Sequence, residues 1–279
     1  MLPTPSTSHV SFDTIYEPAE DSYLFLDTLS SAKETAWLSQ RFNVSESTCS
    51  KPGSPANSPQ PLVVEVGTGS GVVLAFAAAN ANIIFGRRDI LTLGTDVNSN
   101  ACSATQQTVC LAIDEGQKHE LGKPVVEMAP VRPQFLSSLT ADLCTPLRPG
   151  SVDVLIFNPP YVPTPELPAI PSPEVGGLVM SSPPLSQFER DSHLLSLSYA
   201  GGELGMETTN RLLNSIPEVL DPSRGVAYVL LCAQNKPDEV KARIAGWGSG
   251  WTAETVGRSG ATAGWERLAI VRIWRQLSS

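Results

Sequence analysis

Apolar positions along the chain fall into short runs that stop at glycine or at an acidic or amide residue. Leu62-Val63-Val64-Glu65-Val66 ends in glycines and reads as a buried parallel strand. Gly71–Ala79 follows as an apolar helix, and Ile90–Thr95 as a second strand closed by Asp96. Asn98 caps a helix predicted to run to about Asp114. A third strand is expected near Phe135–Leu139, ending at Asp142, and a fourth over Val152–Phe157. Helix, strand (Gly225–Ala233) and helix come next, then two strands near Trp251–Gly257 and Trp265–Trp274. Upstream, Tyr23, Leu24, Leu26, Leu29 and Trp37 suggest one amphipathic helix between Tyr16 and Trp37, preceded by a polar, mobile stretch over 1–14. Strands alternating with helices predict an α/β, doubly wound, mostly parallel sheet in a single domain over 1–279.

Two segments interrupt the pattern. Residues 39–61 are rich in Ser, Pro and Asn, and Pro163–Pro184 holds seven prolines, a density that forbids a packed helix or a central strand. We read 39–61 and 163–190 as flexible surface inserts.

Composition narrows the function classes. A formal charge of −9 over 279 residues repels phosphate backbones, and the longest basic cluster is Arg87-Arg88, so tight nucleic-acid binding is disfavoured. Five scattered cysteines without CxxC spacing argue against a disulfide framework and against a metal site in this chain. His9, His119 and His193 show no ligand spacing and read as exposed, while Trp247, Trp251, Trp265 and Trp274 read as core. With no basic-then-apolar leader and no apolar stretch near ~20 residues, the expectation is a soluble protein, cytoplasmic with nuclear access open, and no membrane association.

Three strand ends carry candidate chemistry. Glu65-Val66-Gly67-Thr68-Gly69-Ser70-Gly71 lies between a strand and a helix, where glycines allow a sharp turn and close approach of a ligand to backbone. Such turns also close ordinary βα units, but Asp96 at the end of the next strand can accept from ribose hydroxyls. Together the two motifs point to a nucleoside ligand without fixing its chemistry. Asp142-Leu143 adds a third strand-end acid that could accept from an adenine amino group. Asn158-Pro159-Pro160-Tyr161 closes the fourth strand. Its two prolines remove two N–H donors, so the local carbonyls and the Asn158 side-chain oxygen can only accept, which suits a planar NH₂ group. Tyr161 can stack on that group. An amide or aromatic amine has no useful basicity, so catalysis would come from orientation, worth on the order of 7–11 kcal/mol.

These residues resemble the HemK-like class of Rossmann-fold N-methyltransferases, and within it the eukaryotic and archaeal release-factor glutamine methyltransferases (Mtq-type). Tyr16-Glu17-Pro18-Ala19-Glu20-Asp21 is similar to that branch's N-terminal signature, Tyr199-Ala200-Gly201-Gly202 with Gly205 to its post-loop motif, and Ala263-Gly264-Trp265-Glu266 to its C-terminal hairpin. Two departures are Tyr199, where the branch carries Trp, and Met206, where Arg is common. The resemblance implies a Rossmann-like class I fold with seven strands, an antiparallel C-terminal strand, and a helical segment over 12–38 lying on the cofactor. It implies S-adenosylmethionine as cofactor, held by Tyr16, Glu20, Asp21, Glu65, Gly67, Gly69, Asp96, Asp142, Leu143 and Asn158. Catalysis and acceptor binding would fall to Asn158, Pro159 and Tyr161. The implied acceptor is the Gln of a Gly-Gly-Gln motif in a class I translation termination factor, methylated on its amide N5. The implied partner is a small zinc-binding activator subunit that forms a heterodimer along the exposed edge at Phe135–Leu139, beside Val109 and Leu111. Competing readings are an adenine-N6 methyltransferase on RNA or DNA, a protein-lysine methyltransferase, and a catalytically silent scaffold. Retention of Glu65, Asp96, Asp142 and Asn158 together speaks against the last.

Overall fold

A computed structural model describes residues 2–42, 59–121, 131–170, 186–248, 250–260 and 267–276, with backbone alone at 117–121. The described residues form strands β1 (Leu62–Val66), β2 (Leu91–Asp96), β3 (Gln134–Thr140), β4 (Val154–Phe157), β5 (Val226–Cys232), β6 (Trp251–Arg258) and β7 (Leu268–Arg275). They make one sheet in the order β3-β2-β1-β4-β5-β7-β6. β1 to β5 pair in parallel, and β7 runs antiparallel between β5 and β6. This is the Rossmann-like class I arrangement expected from the sequence.

Helices cover both faces. On one lie α1 (Glu20–Ser30), α2 (Ala32–Phe42), α3 (Val72–Ala79), α4 (Ala81–Phe85) and α5 (Ser99–Leu121). On the other lie α7 (Glu207–Val219) and α8 (Pro237–Ala245), with α6 (Gln187–Ser196) near the rim of the strand ends. Period-two alternation splits the strands between two cores. Val154, Ile156, Val226, Tyr228 and Leu230 face the first layer; Leu155, Phe157, Ala227, Val229 and Leu231 face the second. Both sides being buried explains why these strands read as continuous apolar runs.

Several boundaries differ from the sequence expectation. The single helix over Tyr16–Trp37 is two, broken where Ser31 turns extended (φ −65°, ψ 146°) and its Oγ accepts from Glu34 N at 3.3 Å. Residues 39–42 belong to α2 rather than to an insert, because Leu38 and Phe42 are buried one turn apart. α5 continues to Leu121, past Asp114. Residues 2–14 are not a free tail. His9 Nε2 lies 3.0 Å from Thr108 Oγ1, Asn98 Nδ2 donates to Thr14 O at 2.8 Å, and Val10 packs beside Ile15, Ala101 and Ala104. The proline-rich insert closes earlier than 190: Ser186 and Glu189 form a reciprocal cap that starts α6. The remaining insert residues 43–58 and 171–185, with Cys49, the 263–266 tetrad and the His119 side chain, lie outside the described residues.

The α1–α2 pair is clamped to the sheet by a buried network. Glu34, fully buried, accepts from Tyr228 Oη at 2.9 Å and from Arg272 Nη1 at 2.8 and 2.9 Å. The Arg272 guanidinium also stacks over Trp37 at 4.1 Å and donates to Glu254 at 2.9 Å. Breaking such a pair leaves an uncompensated buried charge, worth roughly 3–5 kcal/mol. The clamp fixes where the first residues of α1 meet the strand ends.

Candidate active site

Strand order reverses direction between β1 and β4, so the loops leaving their carboxyl ends part and open a crevice, the place where such sheets bind ligands. One pocket fills it, lined by the Gly-rich turn, Asp96, Asp142, Asn158 and Pro159 together with Tyr16 and Asp21 from the N-terminal segment.

Gly67, Gly69 and Gly71 all adopt left-handed backbone (φ 66°, 52° and 77°). A Cβ on Gly71 would sit 2.7 Å from Thr105 Cα, so α5 packs against bare backbone there. Gly69 has nothing within 4 Å of where its Cβ would stand, and Asp96 Oδ2 accepts from its N–H at 3.0 Å. Asp96 Oδ1 accepts from Asn98 N at 2.8 Å. Burial raises the Asp96 carboxyl above its ordinary range, opposed by those backbone donors. Glu65, at the end of β1, accepts from Leu74 N at 2.9 Å in the first turn of α3. Burial pushes its carboxyl up to about 8 despite that bond, with Asp96 adding repulsion. Asp142 forms an ion pair with Arg211 of α7 at the pocket wall. Leu143 turns left-handed (φ 51°), and its carbonyl accepts from Thr95 Oγ1 at 3.0 Å.

The β4 end differs in kind. Asn158 Nδ2 donates to Asp21 Oδ2 at 3.0 Å. Its Oδ1 is buried and has no hydrogen-bond partner among the described residues. A buried acceptor left unpaired costs about 1–3 kcal/mol, so this oxygen is set up for a donor from outside the chain. The chain beyond the tetrad is held by backbone: Val162 N donates to Tyr199 O at 3.0 Å and Gly201 N to Val162 O at 2.8 Å. A Cβ on Gly205 would collide with the Tyr161 carbonyl, which accounts for glycine in the post-loop motif.

No protein-family model matches the chain. It is 31% identical to Methyltransferase HEMK2 of Mus musculus, over 97% of this chain and 96% of that one. It is 30% identical to the eRF1 methyltransferase catalytic subunit mtq2 of Schizosaccharomyces pombe, over 99% and 96%. The chain belongs to the HEMK2/Mtq2 methyltransferase family. A solved SAM-dependent methyltransferase from Thiobacillus denitrificans in complex with S-adenosyl-L-homocysteine matches with a TM-score of 0.37 and 12% identity, over 94% of this chain and 100% of that one.

Of the residues singled out from the sequence of this HEMK2/Mtq2 member, Tyr16, Asp21, Glu65, Gly67, Gly69, Asp96, Asp142, Leu143, Asn158 and Pro159 share the pocket. Glu20 and Tyr161 are not among its lining. Glu20 is exposed at the start of α1. Tyr161 is half-buried and packs against the first core layer. Sequence reasoning missed Arg211, along with Leu194, Leu197 and Ser198 at the end of α6, which complete the wall. No local motif marks them. They reach the crevice because α6 and α7 return to the strand ends from well downstream of the tetrad. His193, expected free in solvent, bonds the Ala169 carbonyl at 2.8 Å and ties α6 to the tail of the β4 loop.

Proposed function

We propose that this methyltransferase transfers the methyl group of S-adenosylmethionine to the N5 amide nitrogen of the Gln in the Gly-Gly-Gln motif of a class I translation termination factor. The observation that carries the reading is the buried, unpartnered Oδ1 of Asn158 in the same pocket as a nucleoside cradle. S-adenosylmethionine supplies an electrophilic methyl group when bound. Asp96 would accept from its ribose hydroxyls, Asp142 and Leu143 would hold its adenine, and the Gly67–Gly71 backbone would take its amino-acid portion, all of them residues of the one pocket. On the acceptor side Asn158 Oδ1 and the Pro159 carbonyl accept from a primary amide. That holds the nitrogen in place with its lone pair directed at the donor, while the extra proton leaves to water. The carboxylate beside Asn158, Asp21, accepts from the Asn158 amide nitrogen and from Ser22, so orientation rather than a general base carries the rate. The name of the fission-yeast relative, a catalytic subunit of an eRF1 methyltransferase, supports the same acceptor.

The test offers radiolabelled S-adenosylmethionine with three acceptors: the termination factor, its Gln→Ala motif variant, and total RNA. Label on the first alone supports the reading; label on RNA, or on both protein forms, overturns it.

The same proposal includes a zinc-binding activator on the β3 edge, and places the complex in the cytoplasm with access to the nucleus. Among the described residues β3 pairs only with β2, Leu136 is 52% exposed, and Leu111 on α5 is also exposed, which supports a strand edge open to a partner beside apolar surface. Val109, grouped with this edge from the sequence, is fully buried and faces the core instead. Ser138 points inward too, its Oγ buried close to Gly94. Leu136→Lys should therefore cut co-purification with a co-expressed activator at least severalfold while leaving the melting temperature of the chain alone within about 2 °C. Full-yield complex would place the partner elsewhere.

A further inference from the structure

Within the methyltransferase reading above, we propose that Asp21 is a positioning residue that sets which end of the Asn158 amide faces the acceptor, rather than a cofactor ligand.

An asparagine amide has two ends of nearly the same size and opposite hydrogen-bonding sense. Turned one way, Asn158 offers an acceptor to an incoming NH₂ group. Turned by 180° it offers two donors, and donor then meets donor. Something in the chain has to break that tie. Asp21 lies 137 residues upstream, is 4% exposed, and places Oδ2 at 3.0 Å from Asn158 Nδ2. A carboxylate only accepts, so the amide nitrogen belongs on the Asp21 side and the oxygen away from it. That oxygen, on a residue that lines the pocket, is the atom found buried without a partner among the described residues.

Asp21 is itself braced by the first turn of its own helix. Its Oδ1 accepts from Ser22 N at 2.7 Å and Ser22 Oγ at 3.3 Å, leaving Oδ2 for Asn158. The residue sits in the first turn of α1, where unpaired backbone N–H groups favour a carboxylate. α1 leads through Ser31 directly into the clamped α2, so the carboxylate is held by the fold and not by the tetrad itself. The N-terminal signature thus reaches the acceptor chemistry from the far end of the sequence.

The full-length chain tests this with a swap. In Asn158→Asp two carboxylates face each other and transfer falls. In the Asp21→Asn, Asn158→Asp double variant the bond is restored in reverse. The amide introduced at position 21 accepts from Ser22 N through its oxygen and donates through its nitrogen to the carboxylate introduced at position 158. The second oxygen of that carboxylate still accepts in the pocket. We expect Asp21→Ala to lower kcat roughly 10- to 100-fold, with KM for the termination factor and calorimetric Kd for S-adenosylmethionine each within about two-fold. The double variant should exceed Asn158→Asp at least about 10-fold. Loss of S-adenosylmethionine affinity in step with kcat, or a double variant no better than Asn158→Asp, overturns the proposal. If the unaltered chain methylates no Gln acceptor, the functional reading fails by itself. The positioning role is then read from the side-chain NH₂ resonances of Asn158, protected from solvent exchange in the unaltered chain and unprotected in Asp21→Ala; equal protection in both overturns it.

Discussion

The two halves of the crevice differ in how their polar atoms are spent. On the nucleoside side, the acids at the ends of β1, β2 and β3 already hold partners in the chain: Leu74 N for Glu65, Gly69 N and Asn98 N for Asp96, Arg211 for Asp142. These carboxylates shape the loops that line the site, and each has lone pairs left for a ligand. On the acceptor side, Asn158 Oδ1 is engaged by nothing in the described chain, and its partner amide nitrogen is locked to Asp21. A cradle that is mostly self-satisfied can fold and bind without the acceptor. An oriented but unpaired oxygen is spent only when the right group arrives, and the cradle holds one of its own in Thr68 Oγ1. Affinity for the cofactor and commitment to the acceptor are thus separable in this fold, and substitutions should separate them.

The largest effect should come from the acceptor side. Asn158→Ala should lower kcat on the order of 10²–10³-fold, with calorimetric cofactor affinity unchanged. Activity within a few-fold would reduce the tetrad to a turn and erase the contrast. Next comes Asp96→Ala, which removes both the proposed ribose acceptor and the bond that holds Gly69. Cofactor binding should weaken by about 1.5–3 kcal/mol while the folded signal in circular dichroism persists. Unchanged affinity would show that Asp96 only braces the loop.

Glu65 gives a smaller effect, read as stability against pH. Its folded value of about 8 lies above that of an unfolded Glu near 4.5, so the native state binds the extra proton. Stability from this group is full below about pH 4.5 and is lost as pH rises toward 8. Between pH 6 and 8 the loss should be about 2 kcal/mol, and Glu65→Gln should flatten that part of the melting profile. An unaltered slope would assign the titration to another group. The smallest effect belongs to Arg211→Ala. Its pair with Asp142 is partly exposed, so cofactor affinity should change by only ~0.2–1 kcal/mol. A tenfold loss would mean that Arg211 touches the ligand itself.

Much of the cofactor side was legible in the sequence, and for a physical reason. A βα turn, a strand-end acid and the tetrad are each local: a few adjacent residues fix both the backbone path and the chemistry presented. The strand order placed those local pieces together once the alternation of strand and helix was recognised. Element ends were less legible. The extension of α2 to Phe42 depends on burial against Phe85, which no local window of sequence contains, whereas the break at Ser31 carries a local contact to Glu34 N that the helical period hid. Glu34 with Arg272, and Arg211 with Asp142, are pairs separated by 238 and 69 residues, invisible to any spacing rule.

By itself, then, the sequence determined the fold class and pointed to the glycine turn at Gly67–Gly71, Asp96 and Asn158-Pro159 as parts of one site, and these do share a pocket. Only the tertiary structure decided that Tyr161 rests against the first core layer, that Glu20 is not among the pocket lining, and that Asp21 grips Asn158. Which atom of a side chain is free depends on what the rest of the chain has already bonded, and contacts across more than a hundred residues are made by packing, not by adjacency.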